Sequence, residues 1–415
     1  MFKQFKYKLK PTKEQKQQLQ QIGGSTRWLW NYMLNLNTTE YNTNKKFIFE
    51  KPMNYLLPQL KKINPWLSDV PSQALQQKCK DLSLALEALK TGSKYPKFKC
   101  KKWNNDSFRI PQQIANGKDK HILPTKKQIK IPKIGWIKWN RHRPLEGKLK
   151  LITIKQEGIH WYCSCLCELP DITSIKEYNI EQLVGIDMGL LDLAITSDNK
   201  IYDTPKYYRN KQNKLAKAQI HLSKKAKRSN NRNKARLKVC KIHTKIKNQR
   251  VDYLHKISKE ITNQYLFIGV EDLNIKGMSK NKHLSKSILD QGWGIFINQL
   301  EYKSLWNGGC TIKINRYAPS TKTCSNCGHK MNIPLNQRIY TCPICGMIRD
   351  RDHNAAINIK KWTVIELSRC GTHRINACGD TTNGDTSLDV SSYVSLNQEK
   401  ISSNLAGETS SFRAR

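Results

Sequence analysis

Residues 2–10, FKQFKYKLK, place apolar and mostly basic side chains in alternation, a period of two that predicts a strand with one buried face. Pro11 stops it. Thr12 and Gln15 have capping-box spacing and predict a short helix that closes at Gly23-Gly24. A second helix is expected from about Ser25, carrying Trp28, Trp30 and Tyr32. Helical spacing returns in VPSQALQQKCKDLSLALEALKTG, at Leu75, Leu82, Leu86 and Leu89. From Lys94 to Leu169 short strands alternate with Pro and Gly: YPKFKCKKW, SFRIPQQ, KIPKIGWIKW, KLKLITIKQEGIHWYCSCLCEL. They predict a small antiparallel barrel or sheet with a helical insertion after its first strand. Cys163, Cys165 and Cys167 share one face of a strand, so they are read as core packing and not as ligands.

From Leu183 the order becomes strand, turn, strand, long helices, strand, helix, strand. LVGIDMG and LDLAITSD predict a hairpin. YLFIGVEDL is an apolar run ending in acids, the pattern of a buried central strand. LDQGWGIFINQLEYKSLW predicts one amphipathic helix, and GCTIKINRYAP a further strand. Periodicity decays after Trp362. Residues 380–415 hold twelve Ser/Thr and few large apolar side chains, which predicts a disordered tail.

Charge changes the picture from fold to partners. The 415 residues carry 73 Lys/Arg against 32 Asp/Glu, a net +41, and a balance that basic selects a polyanion, most simply nucleic acid. No apolar run approaches the ~20 residues of a membrane span, and the N-terminus has no apolar signal core. Residues 206–250 contain 17 Lys/Arg and no acid, beside an apolar stripe continuing through Ile242, Ile246, Leu254, Ile257 and Ile261. Uncompensated like charges one turn apart destabilise a helix. A phosphate backbone relieves them and releases counterions, so Lys224, Lys225, Arg228 and Arg232 are expected nucleic-acid contacts. Tyr95, Phe98, Trp103 and Phe108 are interleaved with basic residues. That pattern suits base stacking and equally suits strand aromatics facing a core.

Thirteen cysteines, mostly scattered, argue for a reducing compartment and against a disulfide framework. Four are not scattered: Cys324, Cys327, Cys342 and Cys345 form CxxC–x14–CxxC, each pair followed by glycine. Thiolates at this spacing make a closed tetrahedral Zn²⁺ site of structural type. Three acids stand out by setting. Asp187 lies within VGIDMG, Glu271 closes LFIGVE, and Asp352 precedes the helix start NAA. Each singly could be a satisfied structural residue; Asp350 and Asp272 are neighbours that could be mistaken for them. Together the three can form an all-oxygen site for two Mg²⁺ or Mn²⁺ ions, suited to cutting a phosphodiester.

With these residues in place, the chain resembles the TnpB (OrfB) family of insertion-sequence proteins, RNA-guided DNA endonucleases related to compact type V CRISPR effectors. The resemblance covers about residues 1–365. It rests on YKLKPTKEQ…STRWLWNYML, VPSQALQQ, YPKFK, IKIPKIGWIKW, VGIDMGLLDLAITSD, LHKIS, VEDLNIKGM, CSNCG…YTCPICG and RDRDHNAAINI. It implies an α/β chain with a RuvC-like nuclease domain of RNase H fold at 181–319 and 347–365, and a zinc ribbon for target nucleic acid at 320–346. A wedge-type β-barrel is implied at 1–10 and 94–180, a helical recognition segment at 11–93, and a tail at 366–415. By motif, Asp187, Glu271 and Asp352 match the catalytic carboxylates that hold the ions, and Arg338 matches a basic position near the scissile strand. Gln73, Gln76 and Gln77 are implied readers of a short transposon-associated DNA motif. The implied partners are a guide RNA from the transposon end, one protein monomer per guide, and double-stranded target DNA, in a prokaryotic cytoplasm among the nucleoid. A catalytically silent RNA-guided repressor or regulator of transposition would use the same basic surfaces.

Overall fold

The computed structural model describes residues 1–100, 106–115, 119–170, 180–334 and 336–369. The chain forms two compact units, Met1–Asp171 and Ile172–Arg415.

The first unit is built around β1 (Phe2–Lys10), whose alternation buries Phe5, Tyr7 and Leu9. Three helices follow: α1 (Lys13–Asn44), α2 (Glu50–Ile63) and α3 (Ser72–Glu87). The strands β2 (Ser107–Pro111), β5 (Leu123–Pro124), β6 (Gln128–Ile131), β7 (Gly135–Asn140), β8 (Lys148–Glu157) and β9 (His160–Glu168) come next. Between β2 and β5, the two-residue strands β3 (Ile114–Ala115) and β4 (Asp119–Lys120) pair with each other. The antiparallel sheet has the order β2-β8-β9-β1-β7-β6-β5, with β1 sewn between two strands whose paired residues lie 128 or more positions downstream. Cys163, Cys165 and Cys167 are fully buried on the core face, two of them opposite Tyr7 and Phe5.

Two expectations change here. The helices either side of Gly23-Gly24 are one. The capping box forms as expected, with Gln15 N–H on Thr12 Oγ1 at 3.2 Å and Thr12 N–H on Gln15 Oε1 at 3.1 Å. The glycines do not end the helix because Leu19, Ile22, Leu29, Trp30, Met33 and Leu34 all bury on its inner face. That packing outweighs about 1 kcal/mol lost per glycine. At Gly23 a Cβ would meet the Asp106 side chain at 2.7 Å. The segment 94–100, expected as a strand, joins no ladder. Instead, the Asn31 amide donates to Lys99 C=O at 2.9 Å and accepts Lys99 N–H at 2.7 Å. Trp30 Nε1 donates to Lys97 C=O at 3.1 Å. Phe108 is buried, whereas Tyr95 and Phe98 are exposed; Trp103 lies outside the described residues.

In the second unit, β10 (Leu183–Asp187), β11 (Asp192–Thr196) and β12 (Ile201–Asp203) form an antiparallel meander. Helices α4 (Gln212–Ser223) and α5 (Asn230–Gln264) carry the basic stretch. β13 (Phe267–Glu271) then pairs parallel to β10, and after α6 (Ile275–Met278), α7 (Ser285–Gln291) and α8 (Trp293–Trp306), β14 (Cys310–Ile314) pairs parallel to β13. The order is β12-β11-β10-β13-β14. A small hairpin, β15 (Ile339–Thr341) and β16 (Ile348–Asp350), runs directly into α9 (Arg351–Arg369).

Period two sorts the sheet's faces. Val184, Ile186, Ile268 and Val270 pack with Leu254, Ile257 and Ile261 of α5 and with Phe296 and Leu300 of α8. Leu183, Phe267 and Ile312 face the other way and pack with Ile359 of α9. The helix expected over 289–306 is broken at Gly292, which has φ 71° and separates α7 from α8. α9 continues past Trp362 to Arg369, and the tail over 370–415 lies outside the described residues. Among the described residues, no helix is long and apolar enough to cross a membrane.

Candidate active site

Strand register brings two of the acids together. Ile186 pairs with Val270 in the parallel β10–β13 ladder, so the next residue of each strand, Asp187 and Glu271, stands at the same level on the same face. Neighbouring strands lie about 4.8 Å apart. Two residues back on that face are Gly185 and Gly269. Cβ atoms there would fall on the backbone of Ala356 and Lys360 and on the side chain of Thr363. The glycines thus let α9 lie directly on the sheet, with its first turn at the strand ends, and that turn carries Asp352.

The electrostatics agree with this geometry. Asp187 is buried at 8% exposure. Burial raises its pKa well above the usual carboxylate range, and the charges of Glu271 and Asp352 raise it further, against Arg351. Burial also raises Glu271, and a hydrogen bond from Ser320 Oγ opposes that rise. Asp352 is held by two guanidinium groups: Arg338 donates at 3.0 Å and Arg351 at 3.2 Å. Three acids sharing one end of a sheet repel one another, and cations or protons relieve that repulsion. The neighbouring acids have other work. Asp350 caps α9, accepting the N–H of Asp352 at 2.9 Å and of His353 at 3.0 Å. Asp272 pairs with Arg316 at 2.5 Å.

The four cysteines gather as their spacing suggests. Their sulfurs all lie within 4.8 Å of one another, the one metal-capable group of that compactness among the described residues. Cys324 faces Cys345 and Cys327 faces Cys342, each at 3.6 Å. A zinc ion with Zn–S bonds of about 2.3 Å sets tetrahedral sulfurs about 3.8 Å apart, so the donor set fits. The carboxylate oxygens are spread more widely, as a site shared by two ions about 3.5–4 Å apart allows. Both knuckles have one geometry: Gly328 N–H returns to Cys324 C=O and Gly346 N–H to Cys342 C=O, each at 3.0 Å. Both glycines have positive φ, 79° and 66°. Met347 N–H pulls the Cys345 thiol down to about 6. Cys327 is pushed up to about 12, since the His329 N–H that lowers it is outweighed by desolvation and the crowded thiols.

The remaining expected residues lie elsewhere. Gln73, Gln76 and Gln77 sit on α3 of the first unit, with Gln73 donating to Gln113 at 3.0 Å. In the second unit Lys224 and Arg228 are exposed and Lys225 half-buried at the α4–α5 corner. Arg232 turns back on that corner and donates to the carbonyls of Leu222 at 3.0 Å and Lys225 at 2.9 Å. Residues not anticipated from sequence are Ser320 and Arg351, which touch the acids, and Asn354 and Asn358, which hold the chain entering the first knuckle. The i,i+4 asparagines within NAAIN were the one visible signal for the last two.

Known proteins are similar to this chain in sequence and in fold. The family model OrfB_IS605, described as "Probable transposase", matches residues 164–282. A Cas12f1-like TNB domain model matches 293–359, enclosing the cysteines. A helix-turn-helix model matches 1–46, which here form β1 and the single helix α1. InsQ of Escherichia coli (strain K12), named as an RNA-guided DNA endonuclease, is 32% identical over 396 residues, covering 91% of this chain and 94% of InsQ. A Streptomyces pristinaespiralis protein named in the same way is 33% identical over 372 residues, 88% and 90% of the two chains. The solved Cas12f1 complex with sgRNA and target DNA matches with a TM-score of 0.53 at 17% identity, covering 84% of this chain and 83% of that one. At that identity the likeness is one of fold: mixed α/β and Cas12f-like, with a TNB domain that bears the four-cysteine cluster. The chain belongs to the TnpB (OrfB) family of insertion-sequence proteins.

Proposed function

We propose that this chain is an RNA-guided DNA endonuclease that cuts double-stranded DNA beside a short transposon-associated motif. The observation that carries the reading is the approach of Asp187, Glu271 and Asp352 to one end of the five-stranded sheet β12-β11-β10-β13-β14, an arrangement that suits an RNase H fold. This supports a RuvC-like nuclease domain over 181–319 and 347–365, with the zinc ribbon at 320–346. A silent repressor would have no use for three acids held together at such electrostatic expense.

Asp187, Glu271 and Asp352 would hold two Mg²⁺ or Mn²⁺ ions, which supply an activated water and a counter-charge for the leaving 3′ oxygen. The carboxylates would reach the ions from two strand ends and one helix start, with Asp352 giving up its contacts to Arg338 and Arg351 as an ion takes their place. Arg338, exposed beside Asp352, has a guanidinium suited to a phosphate oxygen of the strand being cut. Water adds to phosphorus as the bond to the 3′ oxygen breaks, and no covalent link to the protein forms. Cys324, Cys327, Cys342 and Cys345 would hold Zn²⁺ in a closed, structural site.

The guide RNA would read sequence by base pairing, while the protein holds the heteroduplex through charge and shape. Lys224, Lys225 and Arg228 belong to the basic surface suited to that backbone. Gln73, Gln76 and Gln77, in the wedge and helical part of the chain (1–180), are the readers proposed for the DNA motif. Sequencing the RNA that co-purifies with the full chain tests the guided mechanism. A discrete RNA with a constant part and a variable end is expected; a random sample of cellular RNA would overturn it.

A further inference from the structure

The helix that supplies Asp352 also buries two asparagines one turn apart, Asn354 at 0% and Asn358 at 3% exposure. A buried amide left without partners is costly, and these two find theirs in a single place. Asn354 accepts the N–H of Ser325 at 2.9 Å and donates to the Thr323 carbonyl at 2.7 Å. Asn358 donates to the carbonyls of Ser320 at 2.8 Å and Thr323 at 2.6 Å. One turn further on, Lys361 reaches the Ser325 carbonyl. One face of α9 thereby grips the irregular segment 320–325 along its whole length.

That segment has two outputs. Cys324, the first cysteine of the four, lies between the gripped residues Thr323 and Ser325. At its other end, Ser320 presents its carbonyl to Asn358 and its hydroxyl to the carboxylate of Glu271. Asp352 therefore comes from the helix itself, whereas the hydroxyl partner of Glu271 is delivered by a loop that the same helix clamps. The chemistry of the clamp is specific to an amide. Asn354 uses its donor and its acceptor together, and Asn358 spends both N–H bonds on two carbonyls, so an aspartate at 358 would turn lone pairs toward lone pairs.

We propose that Asn354 and Asn358 are positioning residues which, through the segment 320–325 and the Ser320 hydroxyl, register Glu271 and the first cysteine knuckle against Asp352, so that divalent-ion binding at the carboxylates depends on this clamp. The proposal rests on the reading of those carboxylates as a metal centre. Outer partners of a ligating carboxylate typically change metal affinity by about 10–100-fold when removed.

The test is Mn²⁺ binding to the full-length, zinc-loaded chain, followed by calorimetry, with zinc content measured in parallel. Wild type, Asp187→Ala, Ser320→Ala and Asn358→Ala are compared. The expected result is lost binding in Asp187→Ala, and a tenfold or larger weakening in Ser320→Ala and Asn358→Ala while each keeps its zinc. Wild-type affinity in both Ser320→Ala and Asn358→Ala, with binding lost in Asp187→Ala, overturns the clamp and leaves the metal centre standing. Unchanged binding in Asp187→Ala overturns the metal centre itself. Should Asn358→Ala fail to fold, Ser320→Ala, which removes a single hydroxyl, decides alone.

Discussion

The carbonyl oxygen of Ala356 occupies the place where a side chain on Gly185 would begin. Helix α9 and strand β10 touch backbone to backbone there, and the contact sets how far the first turn of α9 stands from the strand ends. Gly185→Ala is therefore expected to push the helix off the sheet. Overpacking of this kind costs about 1–3 kcal/mol, and a shift of about 1 Å at Asp352 is enough to slow chemistry roughly 100-fold. Hydrogen exchange over 351–369 and cleavage rate, measured on one preparation, check it. Faster exchange in α9 with slower cutting is expected, and guide-RNA binding should hold.

The zinc site should matter to cutting more than to guide binding. Cys324→Ser removes one of four thiolates from a group packed around buried Tyr340. Its neighbours Thr323 and Ser325 are the residues gripped by α9, so loss of zinc should loosen the segment beside Glu271. Zinc stoichiometry, RNA mobility shift and cleavage are the three measurements. The expected pattern is zinc lost, cleavage strongly reduced and RNA binding largely kept. Equal loss of both activities would mean that zinc holds the whole fold.

A pH dependence is expected in the first unit. Lys78 of α3 is 6% exposed and donates to Asp81 at 3.1 Å. Burial first, and then the Arg109 charge, lower its pKa from the usual 10.5 to about 8, while Asp106 and Cys79 act the other way. A lysine that binds its proton more weakly when folded makes folding costlier wherever it is charged. That cost is complete below about 8 and fades as pH rises toward 10.5. Its size is on the order of 3 kcal/mol. Lys78→Met should accordingly stabilise this unit at pH 7 and lose most of its advantage by pH 10 in denaturant titrations. An advantage independent of pH would contradict the assignment.

Much of this was legible in sequence where one local signal met no competitor. The apolar runs ending in Asp187 and Glu271 read as strands because they are too short for a helix and rich in β-branched side chains, and the CxxC pairs carry their own glycine turns. Local signals failed where distant residues outvoted them. Gly23-Gly24 reads as a stop, yet buried side chains before and after it hold one helix. Tyr95–Lys99 alternates like a strand, yet its backbone is claimed by the Asn31 and Trp30 side chains. At Gly292 the reverse holds: an apolar helical pattern hides a break that positive φ requires. The clamp by Asn354 and Asn358 joins residues more than 28 positions apart, and only the folded chain brings them together.

The central claim is that Asp187, Glu271 and Asp352 form the centre that cuts guided DNA. The most direct measurement is target-DNA cleavage by the Asp187→Ala chain, loaded with its guide RNA and supplied with Mg²⁺, beside wild type under identical conditions. The account predicts no cut product from the variant at wild-type guide-RNA affinity. Cleavage by Asp187→Ala at the wild-type rate would contradict it.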